Sequence, residues 1–182
     1  MTETNKHLTE AQQKAAAFLT RQKPGTAAWR AAKDAADIAN AKVGDIMQDG
    51  SIYAGMLPET HERIFIAAKD TPCTMSFNEA AKYAEDLDVH GHKDWRMPTL
   101  DELNLVYQNI EKGALRETFN RTVEGSAAGG YPGWYWTSTP LEDIPMWVKT
   151  VCFSDGHAHH EHQEDGGPLS ARPVRLVIGV KR

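Results

Sequence analysis

Small apolar residues at helical spacing occupy the first forty positions of the chain. An Ala-rich run over residues 9–22 and a second over residues 26–40 flank Pro24-Gly25, a pair that favours a turn, so the pattern predicts a helical hairpin. Because most of its apolar positions are Ala, the hairpin buries too little area to be stable alone. We therefore expect it either to dock on the rest of the chain or to mediate homo-oligomerisation.

After residue 42 the spacing changes to short apolar runs that are typical of strands. These runs predict strands at residues 43–47, 51–57, 63–67, 134–138, 146–153 and 172–180. Asp49-Gly50 favours a tight turn between the first two, since both residues tolerate positive backbone angles. The Gly-, Ala- and Ser-rich stretch at residues 125–133 predicts an irregular surface loop.

Two capping-box sequences interrupt the strand pattern. Ser76 with Glu79, and Thr99 with Glu102, each mark a helix start before an apolar-periodic segment. The chain is thus predicted to be α+β, with a small, twisted, mainly antiparallel sheet, two packed helices and long loops on one face. The N-terminal strand of the sheet is expected to pair near the C-terminal strand. We divide the chain into the hairpin at residues 1–42 and a globular domain at residues 43–182.

The turn between the two helices carries Asp94, Trp95 and Arg96 ahead of Pro98. Trp95 offers a large apolar surface for the core, and Asp94 is predicted to close a charge-assisted hydrogen bond with Arg96. We interpret this turn as scaffold.

Aromatic residues are concentrated in two neighbouring predicted strands. Alternation places Trp134 and Trp136 on one face and Tyr135 on the other, so that Tyr135 points outward if Trp136 points inward. Aromatic residues on a sheet belong to the core more often than to a ligand platform. Trp134 and Trp147 are the candidates for exposed, ligand-stacking rings.

A His-rich segment is the strongest chemical feature of the sequence. Four His and four acidic residues fall between residues 155 and 165, and residues 157–167 show no strand or helix periodicity, which predicts a polar loop. Imidazoles and carboxylates at this density bind zinc, nickel or copper, but the spacing is not that of a defined site. Three alternatives stay open: a divalent metal site, a metal-free recognition loop and a solvated loop. The candidate ligand-binding residues are Trp134, Trp147, Asp155, His157, His159, His160, Glu161, His162, Gln163 and Glu164.

The composition excludes several function classes. With 41% hydrophobic residues, 25% charged residues and a net charge of -5, the chain has the balance of a globular protein and lacks a basic patch for nucleic acid. It also contains no apolar run long enough to span a membrane, no nucleophile elbow and no phosphate-binding Gly loop. Cys73 and Cys152 are neither closely spaced nor flanked by redox or metal motifs, so the sequence indicates neither a disulfide framework nor a zinc knuckle, and we expect both to be reduced.

Four sequence motifs, in order, carry a resemblance to a known family. Residues 94–103, 135–139, 153–156 and 174–177 resemble the domain named for the C-terminal part of a Legionella collagen-like adhesin, over roughly residues 43–182. That family is a variant of the C-type-lectin fold and is related to the formylglycine-generating enzyme fold. The resemblance implies a C-type-lectin-like domain in which the late loop lies on the ligand-binding face. The same class includes the variable proteins of diversity-generating retroelements, and the polar residues 157–165 would suit such variation.

The sequence departs from the family at two positions where members often carry Cys. Ala84 and Leu176 stand there, and the joint loss is what a chain outside oxidising compartments would show if the two normally form a disulfide. No secretory signal is recognisable at the start. By default we expect a cytoplasmic location, with a phage particle, or the cell surface reached by a non-classical route, as the alternatives.

Three functional hypotheses follow. The first is a non-enzymatic module that presents residues 131–165 to a carbohydrate or protein ligand and needs no cofactor. The second is a copper-dependent enzyme of the formylglycine-generating type, which would require two cysteines close together. The third is a structural part of a phage or surface assembly.

Overall fold

The computed structural model describes residues 13, 17, 21, 23–89, 92–126 and 130–178. Its contacts divide the chain into two compact units, Met1–Lys42 and Val43–Arg182. In the first unit, helix α1 spans Ala27–Asn40, and the Thr26 hydroxyl caps it by accepting a hydrogen bond from the Trp29 amide at 3.2 Å. Of the predicted first helix, only residues 13, 17 and 21 are described, and all three are helical.

The second unit contains two helices and seven strands among the described residues. In chain order these are β1 (Ile52–Met56), β2 (Glu62–Ile66), α2 (Phe77–Asp86), α3 (Leu100–Gln108), a short 3-10 helix (Gly113–Leu115), β3 (Tyr131–Pro140), β4 (Trp147–Cys152), β5 (Ala158–His162), β6 (Leu169–Ser170) and β7 (Val174–Ile178). The α+β class is confirmed. No helix in the described parts of the chain is long and apolar enough to cross a membrane.

The strands form two sheets, whereas the sequence predicted one. One sheet has the antiparallel order β1-β2-β7, so that the C-terminal strand pairs with an N-terminal strand as expected. The other has the order β5-β4-β3-β6, in which only the β3–β6 pair is parallel. The predicted strand at residues 43–47 contributes only a single bridge between Ile46 and Ile52. The predicted loop at residues 125–133 extends too far, because β3 already begins at Tyr131.

Both capping boxes are confirmed. In α2 the Ser76 hydroxyl accepts from the Glu79 amide, and the Glu79 carboxylate accepts from the Ser76 amide. Thr99 and Glu102 form the same reciprocal pair at the start of α3. Each box gives hydrogen-bond acceptors to two backbone amides that a helix start otherwise leaves without partners.

Helices cover both faces of the four-stranded sheet. Tyr135 and Trp136, neighbours on β3, are both fully buried, because one cluster packs against α3 and the three-stranded sheet and the other packs against α2. The prediction that Tyr135 points to solvent is therefore wrong. Alternation does place Tyr135 and Trp136 on opposite faces, but neither of those faces is open.

A buried arginine connects distant segments of the second unit. The Arg172 side chain is fully buried, and its Nε donates to Asp70 Oδ1 at 2.6 Å and its Nη1 to the Ala67 carbonyl at 2.9 Å. Its Nη2 donates to the Thr118 carbonyl. The other Asp70 oxygen accepts from the Tyr135 hydroxyl at 2.7 Å. Burial raises the pKa of Asp70 above its usual value, and the charge of Arg172 opposes that rise.

Candidate ligand-binding surface

The predicted polar loop at residues 157–167 contains a strand at its centre, whereas residue 157 and residues 163–167 lie outside that strand. Residues Ala158–His162 form β5, which pairs antiparallel with β4 over five residues, from Trp147 opposite His162 to Val151 opposite Ala158. The prediction of an irregular loop failed because all five residues are exposed or half-buried, so the segment has no apolar alternation to reveal its pairing. In the sheet order, β5 lies at the edge.

The β4–β5 register distributes the predicted site residues over both faces of the sheet. Trp147, His160 and His162 share one face, while His159 and Glu161 share the other face with Trp134. The predicted residues therefore do not converge on a single point. They form two small aromatic groups, back to back across the sheet edge.

The first group, which we call the Trp147 surface, consists of Trp147, His160 and His162. The indole of Trp147 meets the imidazole of His160 at 5.3 Å between ring centroids and that of His162 at 5.5 Å, both edge-on. Trp147 is half-buried and belongs to neither buried core cluster. Its ring is thus held in place by its neighbours but is not part of the core.

The second group pairs Trp134 with His159, whose ring centroids lie 4.4 Å apart. Trp134 also packs against the buried cluster under α2. Its apolar surface therefore serves the core to a greater extent than that of Trp147 does. Of the two predicted aromatic candidates, Trp147 is the one whose ring lies outside both core clusters.

The turn from β4 into β5 positions Asp155 and His157. Asp155 Oδ1 accepts from the His157 amide at 2.9 Å, and this backbone hydrogen bond lowers the pKa of the Asp155 carboxyl. Asp155 Oδ2 lies 3.3 Å from His157 Nδ1. Gly156 completes the turn with a φ of +77°, and a Cβ there would lie 2.1 Å from the Tyr107 ring of α3. The turn therefore requires Gly at this position.

The residues after β5 are fixed by hydrogen bonds to their neighbours. His162 Nδ1 accepts from the amides of Glu164 at 3.3 Å and Asp165 at 3.1 Å, which in the neutral ring leaves the proton on Nε2. The Gln163 side chain donates to the Pro145 carbonyl at 2.8 Å. Glu164 itself is exposed. The far end of β5 is thus tied to the loop that precedes β4.

That loop and β4 itself supply residues that the sequence analysis missed. Ile144 is 50% exposed and Met146 is 42% exposed, and the Met146 carbonyl accepts from the Gln163 amide at 2.9 Å. Lys149 lies opposite His160, on the face that carries the Trp147 surface. The signal available in the sequence was the apolar run Ile144-Pro145-Met146, which is exposed only because it lies in a loop.

Within the described residues, no group of three or more His, Cys, Asp or Glu side chains is placed to hold a metal ion. Cys73 is exposed, whereas Cys152 is buried in β4 with its Sγ 3.1 Å from Ser154 Oγ. The imidazoles of β5 therefore lie along a strand and do not surround a common centre.

All four sequence motifs meet in the structure, the third of them through the ring of Phe153, whose centroid lies 4.6 Å from that of Tyr135. Arg96 and Val174 exchange two backbone hydrogen bonds of 2.9 Å, and the Ser138 amide donates to the Pro98 carbonyl at 2.7 Å. The guanidinium of Arg96 binds both Glu102 oxygens, at 2.9 and 2.5 Å.

The predicted pair of Arg96 with Asp94 is therefore wrong, because Glu102 is brought back over the turn by the capping box. The hydrogen bond to Glu102, against the cost of partial burial, raises the pKa of Arg96. Trp95 is buried, as expected of a scaffold residue.

Comparison with known proteins agrees with this arrangement of motifs. No protein with a curated description matches the chain. The family described as the Lcl C-terminal domain matches residues 58–175, which is more than half of the chain. The matched segment contains α2, α3 and the strands β2 to β6. This match confirms the family that the motifs predicted. The chain belongs to the Lcl C-terminal domain family.

Proposed function

We propose that this protein is a non-catalytic, adhesion-type recognition module of C-type-lectin-like character, and that it binds a carbohydrate on the Trp147 surface. The observation that carries the proposal is a half-buried indole outside the core, held between two imidazoles at the edge of a sheet. Membership of the Lcl C-terminal domain family supports a surface or adhesion role.

The chemistry of the Trp147 surface suits a sugar ring. Aromatic rings stack on the apolar C–H faces of sugars, and neighbouring imidazole nitrogens exchange hydrogen bonds with hydroxyls. Two further polar side chains lie next to this surface. Lys149 is opposite His160 in the strand pairing, and Gln163 follows His162 along the chain.

Pairing of β5 with β4 also reduces the entropic cost of binding. A flexible loop must be ordered when it binds its ligand, whereas these side chains project from a backbone that is already hydrogen-bonded.

The test is a glycan-array screen with the full chain, followed by titration of the best glycan. Trp147→Ala should weaken binding by at least about thirtyfold, the effect of removing a central aromatic anchor. His159→Ala, an imidazole on the opposite face of the same strand, is the matched control and should stay within about twofold. A chelator should leave the parent's affinity unchanged.

Loss of binding in His159→Ala with retention in Trp147→Ala would move the site to the Trp134 group. Failure of every glycan would refute the carbohydrate ligand.

A protein ligand is the alternative, and the edge position of β5 favours it. An edge strand can accept a further strand from a partner, and exposed Ile144 and Met146 lie beside it. In that case, substitutions of the residues beside Gly156 should weaken binding of the protein ligand less than a change that blocks the β5 backbone. His160→Pro removes one backbone donor from β5 together with the imidazole, whereas His160→Ala removes only the imidazole. Comparing the two variants therefore tests the backbone donor alone.

The non-catalytic assignment draws support from the two cysteines. A copper centre of the formylglycine-generating type needs both sulfurs at one site, and here one thiol is exposed while the other is buried in β4. Cys152→Ala should therefore leave glycan binding unchanged, measured by the same titration.

We further propose that the N-terminal unit attaches the module to an assembly or joins copies into a homo-oligomer. Most apolar residues of its helix α1 are Ala, so the helix has little apolar surface of its own to bury. Sedimentation equilibrium of the full chain tests the second possibility, because a homo-oligomer would give a multiple of 20.2 kDa.

A further inference from the structure

The outer strands of the two sheets differ in how their open sides are covered. Residues 44 and 45 bond to the backbone of β1, Arg96 bonds to β7 and Met75 bonds to β6, at distances between 2.8 and 3.0 Å. Within the described part of the chain, β5 is the one outer strand without such a neighbour. Proteins usually cover or block an outer strand, because its free backbone groups pair readily with another strand.

The pairing of β5 with β4 shows which of its backbone groups are open. The His157 carbonyl and the Gln163 amide, which flank β5, bond to the backbone of residues 152 and 146, at 3.0 and 2.9 Å. Backbone groups alternate in direction along an antiparallel strand, so those of three β5 residues point away from β4: Ala158, His160 and His162. Of these groups, only the His162 carbonyl has a backbone partner among the described residues, the Gly166 amide at 2.9 Å.

β5 also has the regularity that a further strand requires. Its five residues pair with β4 in a continuous register without a bulge, and the strand contains neither Pro nor Lys, the residues that commonly block an outer strand. Three of the five are exposed and the other two are half-buried. The open side of β5 can therefore accept a strand along its full length.

The side chains of β5 favour one partner in one register. His159 and Glu161 share a face, and their positions lie on either side of His160. If His160 faces the same residue of a second, antiparallel β5, His159 faces Glu161 twice, once in each direction. A shift of two residues either way instead places His159 opposite His159, or Glu161 opposite Glu161. The register that pairs all five residues is thus also the one that pairs a basic with an acidic side chain.

We propose that two copies of this chain associate through β5, antiparallel and symmetric about His160, so that their four-stranded sheets join into one. The outward backbone groups and the two His159–Glu161 pairs form the contact. The contact is small, so the association is weak, with a dissociation constant on the order of 100 µM.

The two-fold axis of such a pair is perpendicular to the sheet, because residues opposite each other in antiparallel strands project from the same face. Both Trp147 surfaces therefore lie on one face of the joined sheet. The inference does not rest on sugar binding, since His159 and Glu161 lie on the face opposite to Trp147.

The first experiment is sedimentation equilibrium of the full chain with two charge variants. His159→Glu places acids opposite each other in both pairs, and Glu161→Lys removes the acid from both. Each variant alone should associate at least about fivefold more weakly than the parent. An equimolar mixture of the two should associate within about threefold of the parent, because both pairs of the mixed dimer again join an acid with a base.

The mixture is also the folding control, because two misfolded variants do not restore each other's association. Association of equal strength in the parent, in both variants and in the mixture would place the contact outside β5 and overturn the proposal. A parent that keeps a mass of 20.2 kDa up to about 1 mM would overturn it as well. Either failure would leave the glycan proposal standing.

Cysteine cross-linking tests the register. His160→Cys, combined with Cys73→Ser, places one exposed thiol on the symmetry axis, while Cys152 is buried. Opposing Cα atoms of a hydrogen-bonded pair lie about 5.5 Å apart, which suits a disulfide, whereas the two copies of residue 159 lie diagonally, roughly 7–8 Å apart.

Under mild oxidation, His160→Cys should form a disulfide-linked dimer at least about tenfold faster than His159→Cys in the same background. A non-reducing gel measures both rates. Faster linkage at residue 159, or no linkage at either residue, would overturn the proposed pairing.

Discussion

Replacing Arg172 with Met should destabilise the protein more than any exposed charge replacement. Arg172 is fully buried, and Met keeps most of its length and its apolar stem while removing the guanidinium. The change leaves the Asp70 carboxylate without its cation, and the carbonyls of Ala67 and Thr118 without their donors. It also removes the guanidinium from above the Phe119 ring, where Cζ lies 4.2 Å from the ring centroid.

The expected loss is about 3–5 kcal/mol in the free energy of unfolding, the range for breaking a buried ion pair by removing one partner. The orphaned carbonyls are part of that figure and not an addition to it, because Asp70 and the carbonyls share one donor group. A domain of this kind is stable by about 5–15 kcal/mol, so the variant should still fold.

Urea denaturation followed by tryptophan fluorescence measures the loss. Arg116→Met is the matched control: Arg116 pairs with Glu111 at 3.3 Å, but its side chain is 67% exposed, so its loss should stay within about 0.5 kcal/mol. Asp70→Asn combined with Arg172→Met should cost about 1–3 kcal/mol less than the sum of the two single changes. A loss below about 1 kcal/mol for Arg172→Met, or strict additivity, would refute the reasoning.

Two further changes test other parts of the fold. Gly156→Ala should cost about 1–3 kcal/mol, since φ is +77° and the added methyl meets an aromatic ring of α3, while Gly125→Ala, whose added Cβ has its nearest contact at 3.4 Å, should cost little; urea midpoints compare them. Although burial disfavours the Asp49 carboxylate, hydrogen bonds from Ser51 and the charge of Arg175 lower its pKa below 3.8. Its stabilising contribution is therefore complete above that pH and is lost as the pH falls through the folded-state pKa. Asp49→Asn should flatten the fall in melting temperature between pH 5 and pH 3, and parallel curves for the two proteins would contradict this.

Local sequence signals predicted the helices well because their determinants are local. A capping box needs only two residues three positions apart, and both boxes form as expected. The same reasoning failed for Arg96, whose neighbour Asp94 seemed the obvious partner. The acid that binds it, Glu102, was already assigned to a helix cap, and one carboxylate serves both purposes.

Long-range pairings could not be predicted from the sequence. Arg172 lies 102 positions from Asp70, and nothing near either residue indicates that the two meet in the core. The two-sheet arrangement was missed for the same reason. Short apolar runs identify strands but not their partners, and a strand buried on both faces, such as β3, shows no alternation that could place it.

The strand β5 was missed for a different reason, which bears on what this segment can do. Its backbone pairs with β4, and none of its residues is buried. Backbone hydrogen bonds do not depend on the side chain that each residue carries, so the core places few demands on the sequence of β5. His159 and His160 should therefore accept other polar side chains with changes of about 0.5 kcal/mol or less in stability. A segment that folds without constraining its own exposed residues is suited to recognition, because its surface chemistry can change while its position on the scaffold does not.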